Sequence, residues 1–179
     1  MKAANILAGI LAALVVSGAA AQQEDTAGAA PPLVEIAEAR WASAVDPGSR
    51  QPAVLLNDAR ARRPLVLWMR IRASEAALAR LEQAGRLPIR HRWFRESFAG
   101  VQAEGQTEMT DSIALSAGSR ELLTALRQEV SARGHFDWRT WSAKARPGPG
   151  RWSVAVVYAD RTPVLCDGGE PCRYSITVK

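Results

Sequence analysis

"RGHFDWRTWSAK", residues 133–144, places two tryptophans, two arginines, a histidine and an aspartate within twelve positions. Such density suits an active site, a nucleic-acid surface or an ordinary strand. Read with period two, Phe136, Trp138, Thr140 and Ser142 fall on one face, and Asp137, Arg139, Trp141 and Ala143 on the other. One tryptophan then faces a core and the other the surface. The polar residues alternate as a half-exposed strand requires, so they need no catalytic explanation.

The same period recurs on both sides of this stretch. In "PLVLWMRIR" (64–72), Leu65, Leu67, Met69 and Ile71 share a face opposite Val66, Trp68, Arg70 and Arg72. In "LPIRHRWFR" (87–95), Ile89, His91, Trp93 and Arg95 lie opposite Arg90, Arg92 and Phe94. "GRWSVAVVY" (150–158) groups Trp152, Val154, Val156 and Tyr158, and "RYSITV" (173–178) groups Tyr174, Ile176 and Val178. Each of these strands is expected to have an inside and an outside. "LVEIAEARW" (33–41) and "SIAL" (112–115) are weaker strand candidates.

Two stretches depart from this period. "SEAALARLEQAG" (74–85) and "SRELLTALRQEVSARG" (119–134) have helical spacing, a serine at the start and a glycine at the end. Leu78 and Leu81 form one apolar stripe, and Leu122, Leu123, Leu126 and Val130 the other. Both read as excursions between strands. The expected fold is an immunoglobulin-like antiparallel β-sandwich of about seven strands with two short helical insertions. The alternative is α+β; an α/β fold would need more crossover helices than two.

The N-terminus sets the setting. Lys2 precedes an apolar run from Ile6 to Val16, and Ser17-Gly18-Ala19-Ala20-Ala21 follows, a small-residue ending that suits signal peptidase. Residues 1–21 therefore read as a signal peptide, with a retained anchor as the alternative, although the run is shorter than the roughly 20 residues of a spanning helix. Residues 22–32, QQEDTAGAAPP, carry no large apolar side chain and read as a flexible leader. Residues 33–179 are the expected single domain, periplasmic or secreted, with no membrane span after cleavage.

The cysteines are Cys166 and Cys172 in "CDGGEPC", where Gly-Gly and Pro can turn the chain back on itself. In an exported protein they read as a disulfide that pins a hairpin. These two cysteines with His91 and His135 do not make a recognisable zinc spacing, so neither a metal nor another cofactor is expected. The net charge of +5, supplied mostly by arginine, permits anionic partners, but the arginines run from Arg40 to Arg173 among interleaved acids, and a solvated, mildly basic surface is the first reading of them.

The segments "LPIRHRW", "WRTWSAK" and "PGRWSVAVV" together resemble an uncharacterised bacterial envelope family, domain of unknown function 2914. Its H-x-W, W-R-[TS]-[YW]-S-x-K and P-G-x-W-x-V motifs fall here on His91 and Trp93, on Trp138 to Lys144, and on Pro149, Gly150, Trp152 and Val154. The resemblance spans about residues 33–179 and implies a small β-sandwich module of envelope proteins, without an established activity. The helix at 119–134 and the cysteine loop depart from the family pattern.

For function, the residues point first to a non-enzymatic binding or accessory module. Arg90, His91, Arg92, Trp93, Arg139, Trp141 and Lys144 are the candidate ligand-binding residues. Guanidinium groups would grip carboxylate or phosphate, and indole rings would stack on a flat or sugar-like face. An envelope ligand or a protein partner fits this chemistry, and nucleic acid ranks behind both. A structural assembly subunit pairing through strand edges is the alternative. A hydrolase ranks last: there is no G-x-S-x-G elbow, H-E-x-x-H or phosphate loop, and no catalytic residue is assigned. His135 and Asp137, at alternate strand positions, read first as a surface ion pair and only second as an acid–base pair.

Overall fold

A computed structural model of the chain describes residues 32–179 apart from 99–100, 103–106 and 167–168. The signal-peptide segment and all of the leader but Pro32 lie outside the described residues. The chain runs β1 (Val34–Ala42), β2 (Leu65–Ser74), α1 (Glu75–Ala84), β3 (Arg86–Leu87), β4 (Ile89–Arg95), β5 (Ser97–Phe98) and β6 (Val101–Gln102). It continues through β7 (Thr107–Ser112), β8 (Leu115–Ser116), α2 (Arg120–Arg133), β9 (His135–Lys144), β10 (Gly150–Tyr158) and β11 (Arg173–Val178).

Two antiparallel sheets form a β-sandwich, one of order β1-β2-β9 and one of order β11-β10-β4-β7. Among the long strands, the first, second and fifth make one sheet and the others the second, which is the immunoglobulin-like allocation. The inward residues read from period two meet between the sheets: Leu65, Leu67, Met69 and Ile71 face Ile89, Trp93, Val154, Val156 and Ile176 in one core. The short pairs β3-β8 and β5-β6 are accessory ribbons.

Both helices fall where the serine and glycine signals place them. The Ser74 hydroxyl accepts from Ala77 N at 3.4 Å and the Ser119 hydroxyl from Leu122 N at 3.2 Å. Gly85 and Gly134 take the left-handed conformation, φ 71° and 75°, that ends each helix. Leu78, Leu81 and Leu126 are buried in the core, and Arg127 donates to Glu82 at 2.6 Å, joining α2 to α1.

Two local expectations need correction, and one strand was not expected. The outside of β2 is covered at one end: Val66 and Trp68 are 5% and 1% exposed, and Trp68 Nε1 donates to the carbonyl of Arg50 at 2.8 Å, so the long β1–β2 connection reaches the outer side of the sheet there, while Arg70 and Arg72 stay partly exposed. "SIAL" is not one strand, because Ser112 ends β7, Ile113 is buried between elements, and Leu115 starts β8. β7, "TEMTDS", is an edge strand whose sequence carries too few apolar residues for alternation to reveal it.

The disulfide between Cys166 and Cys172 forms, with Cα atoms 5.0 Å apart. The edge of the four-stranded sheet at β11 is covered by the chain itself, and the edge at β9 is met by one side chain. Ala59 bridges Val178 in parallel, and Ala59 N and Ala61 N donate to the carbonyls of Thr177 and Lys179, closing the outer side of β11. At β9, the guanidinium of Arg50 donates to the carbonyl of Arg139 at 2.7 Å.

Candidate functional site

β4 carries four of the candidate ligand residues, and its pleat separates them into two pairs. His91 and Trp93 face inward and are fully buried. They are not ligand contacts but part of the core, a correction that follows from the apolar neighbours of β2 and β10 sharing their face. Trp93 Nε1 donates to Ser142 Oγ at 3.0 Å, and the Ser142 hydroxyl lies 2.6 Å from His91 Nδ1. His91 Nε2 lies 3.2 Å from Met69 Sδ, which can only accept, so the ring proton sits on Nε2 and Nδ1 accepts from Ser142. Burial pushes the His91 pKa down to about 3, so the imidazole is neutral.

Arg90 and Arg92 face outward from the four-stranded sheet, whereas Arg139 and Trp141 face outward from the three-stranded sheet. These residues therefore stand on opposite sides of the sandwich. The single arginine–aromatic surface expected from the sequence does not form, because β4 and β9 enter different sheets. Lys144, at the end of β9, places its ammonium 4.5 Å from the centroid of Trp152, apart from both faces.

On the three-stranded side, three arginines meet carboxylates of the fold, while Arg50 and Arg139 donate to backbone carbonyls. Arg70 pairs with Glu38 at 3.6 Å and Asp137 at 3.7 Å, Arg72 with Glu35 at 3.5 Å, and Arg40 with Glu38 at 3.0 Å. The Arg50 guanidinium lies 5.6 Å from the Trp138 centroid and 5.4 Å from that of Trp141, held between two indoles. His135 Nδ1 approaches the carbonyl of Arg133 at 3.0 Å while Asp137 is engaged by Arg70 and Arg133, so the geometry gives these two residues no shared acid–base role.

The four-stranded side differs. Arg90, Arg92 and Arg161 line one open depression of about 330 Å³ with Thr110 and Val157. Strand register brings this about: Arg90 pairs across from Val157, and Arg92 from Thr110. Arg161 arrives from the turn after β10, where it takes φ 72° and its N–H donates to Tyr158 O at 3.0 Å. Neither Arg90 nor Arg161 has a carboxylate within ion-pair distance among the described residues.

Beside the depression, Phe94 sits under two guanidinium groups, with Arg92 5.2 Å and Arg173 4.6 Å from its centroid. Arg173 donates to Ser153 Oγ at 3.0 Å and to Glu96 at 2.9 Å, and Arg151 meets the other Glu96 oxygen at 3.0 Å. Burial raises the Glu96 pKa, but the hydrogen bond with Ser153 and the charges of Arg173 and Arg151 outweigh it and hold the carboxyl below its usual range. Sequence reading missed Arg161, Arg173 and Phe94 as site residues. They lie on other elements or looked like plain outward positions, and only cross-strand register brings them beside Arg92.

Among the described residues there is no cluster of three or more His, Cys, Asp or Glu side chains that could hold a metal ion. No described helix is long and apolar enough to cross a membrane. No family model matches the chain, and no curated protein matches it.

Proposed function

We propose that the protein is an exported binding module that holds an anionic ligand on the outer face of its four-stranded sheet. The observation that carries this reading is the convergence of Arg90, Arg92 and Arg161 on one depression, where neither Arg90 nor Arg161 meets a carboxylate among the described residues. Guanidinium forks match carboxylate and phosphate oxygens in geometry and charge. On the opposite face of the sandwich Arg40, Arg70 and Arg72 each meet a carboxylate, and the depression there places Glu129 and Asp137 beside its arginines. The resemblance to an envelope family belongs to the same proposal. Assembly through strand edges draws less support at β11, where the chain's own Ala59–Ala61 segment already pairs with the edge.

The test is a thermal-shift series on the full chain with glucuronate, inorganic phosphate, polyuronate and polyphosphate. A ligand present at a hundredfold excess over its Kd stabilises by about 2.7 kcal/mol, a shift of several degrees. We expect at least one anion to produce it and the Arg90→Ala/Arg161→Ala variant to lose it. An unresponsive wild type, or an equal shift in the variant, overturns the reading.

A further inference from the structure

The basic face does not end at the depression. On β4, Arg90, Arg92 and Phe94 occupy successive outward positions, and Glu96 follows just beyond the strand end. On β10 and β11, Arg151 and Arg173 face the same side, joined to that row through Glu96 and Phe94. At about 3.4 Å per residue, the line from Arg90 to Glu96 covers about 20 Å. Arg161 extends it past one end and Arg151 marks the other. A lone carboxylate or phosphate would use only one end of such a row.

The face also lacks what a nucleic-acid strand needs. Single-stranded nucleic acid is gripped by stacking its bases on exposed rings. Phe94 is the aromatic residue in the row, and at 7% exposure beneath Arg92 and Arg173 it has no open face to offer. Trp68, Trp93 and Trp152 are buried, and Trp138 and Trp141 belong to the other sheet. What remains is a run of guanidinium groups, two of them, Arg151 and Arg173, sharing the single carboxylate of Glu96, with the exposed hydroxyl of Thr110 across from Arg92. Hydroxyl and guanidinium groups together can meet both the carboxylates and the hydroxyls of a sugar chain.

We infer that the ligand of this face is a linear acidic polysaccharide, lying along the strands from Arg161 to Arg151 and bound through several uronate carboxylates at once. This rests on the anion-binding reading above and specifies its ligand. Occupying successive arginines makes each further contact intramolecular, so affinity rises with chain length until the row is filled.

The experiment is a titration of the full chain with oligouronates of increasing length, beside glucuronate, polyphosphate and oligothymidylate, using wild type, Arg90→Ala/Arg161→Ala and Arg151→Gln. We expect affinity to climb by at least about a hundredfold from monomer to long oligomer. Arg151→Gln, distant from the depression, should weaken the long oligomer about two- to fivefold and leave glucuronate unaffected. Equal affinity for monomer and oligomer, with Arg151→Gln neutral, overturns the polymer inference and leaves the anion site standing. Tighter binding of polyphosphate or oligothymidylate than of oligouronate overturns the choice of glycan. Binding of no anion, with the depression variant silent, removes the anion site itself.

Discussion

The hydroxyl of Ser142 lies 2.6 Å from Nδ1 of His91, joining β9 of one sheet to β4 of the other across the middle of the core. The same oxygen accepts from Trp93 Nε1, and Trp93 meets Trp41 edge to face at 5.7 Å. One small side chain thus satisfies two buried ring nitrogens.

Because His91 is buried neutral, with a pKa of about 3 against 6.5 in an exposed chain, the unfolded protein takes up a proton first as the pH falls. The stability tied to this residue is complete above pH 6.5 and declines as pH drops toward 3. By about pH 5 the loss is about 2 kcal/mol. Urea unfolding at pH 7 and pH 5 should show it, and His91→Leu should flatten the difference. Carboxylates such as Glu96 start from an ordinary value of 4.5, so this window separates the imidazole from them.

Ser142→Ala leaves both His91 Nδ1 and Trp93 Nε1 in a dry core without their shared partner. Each unsatisfied buried polar group costs about 1–3 kcal/mol, and the two together should lower unfolding stability by about 2–4 kcal/mol. Thr140→Ala, on the same strand face, serves as the control for a simple loss of volume. Denaturant midpoints that coincide for the two variants would count against the bridging role of Ser142.

Arg50 links the β1–β2 connection to the edge of β9 through the Arg139 carbonyl and two indoles. Arg50→Ala should cost about 1–2 kcal/mol, combining a charge-assisted hydrogen bond with the cation–π contacts. It also uncovers part of the β9 edge. Faster amide exchange along Phe136–Trp141 and a change in tryptophan fluorescence are the expected readouts, with exchange elsewhere in the core unaltered.

Replacing Cys166 and Cys172 together with serine should lower stability by about 2 kcal/mol, the value for closing so short a loop. The fold should persist, because Cys172 N still donates to Val164 O at 2.8 Å and β11 remains paired with β10. Circular dichroism should be preserved while the melting temperature falls by about 4–8 °C.

Local sequence determined the long strands other than β7, and the helices with their ends. Alternation of Leu65, Leu67, Met69 and Ile71 assigned the inward face of β2, and Ser74, Gly85, Ser119 and Gly134 bounded both helices, since a cap or a left-handed terminus is a property of adjacent residues. Period two also separated His91 and Trp93 from Arg90 and Arg92. Tertiary structure decided everything that depends on which strands share a sheet. Alternation places a residue on one face of its own strand and carries no information about the strand beside it, so it could not put Arg139 and Trp141 on the far side of the sandwich from Arg92. Nor could it show that a distant connection would cover Trp68, or that Arg161 and Arg173 would stand beside Arg92 and Phe94. Those placements follow from long-range pairing, which is selected by the burial of the whole core and not by any one segment.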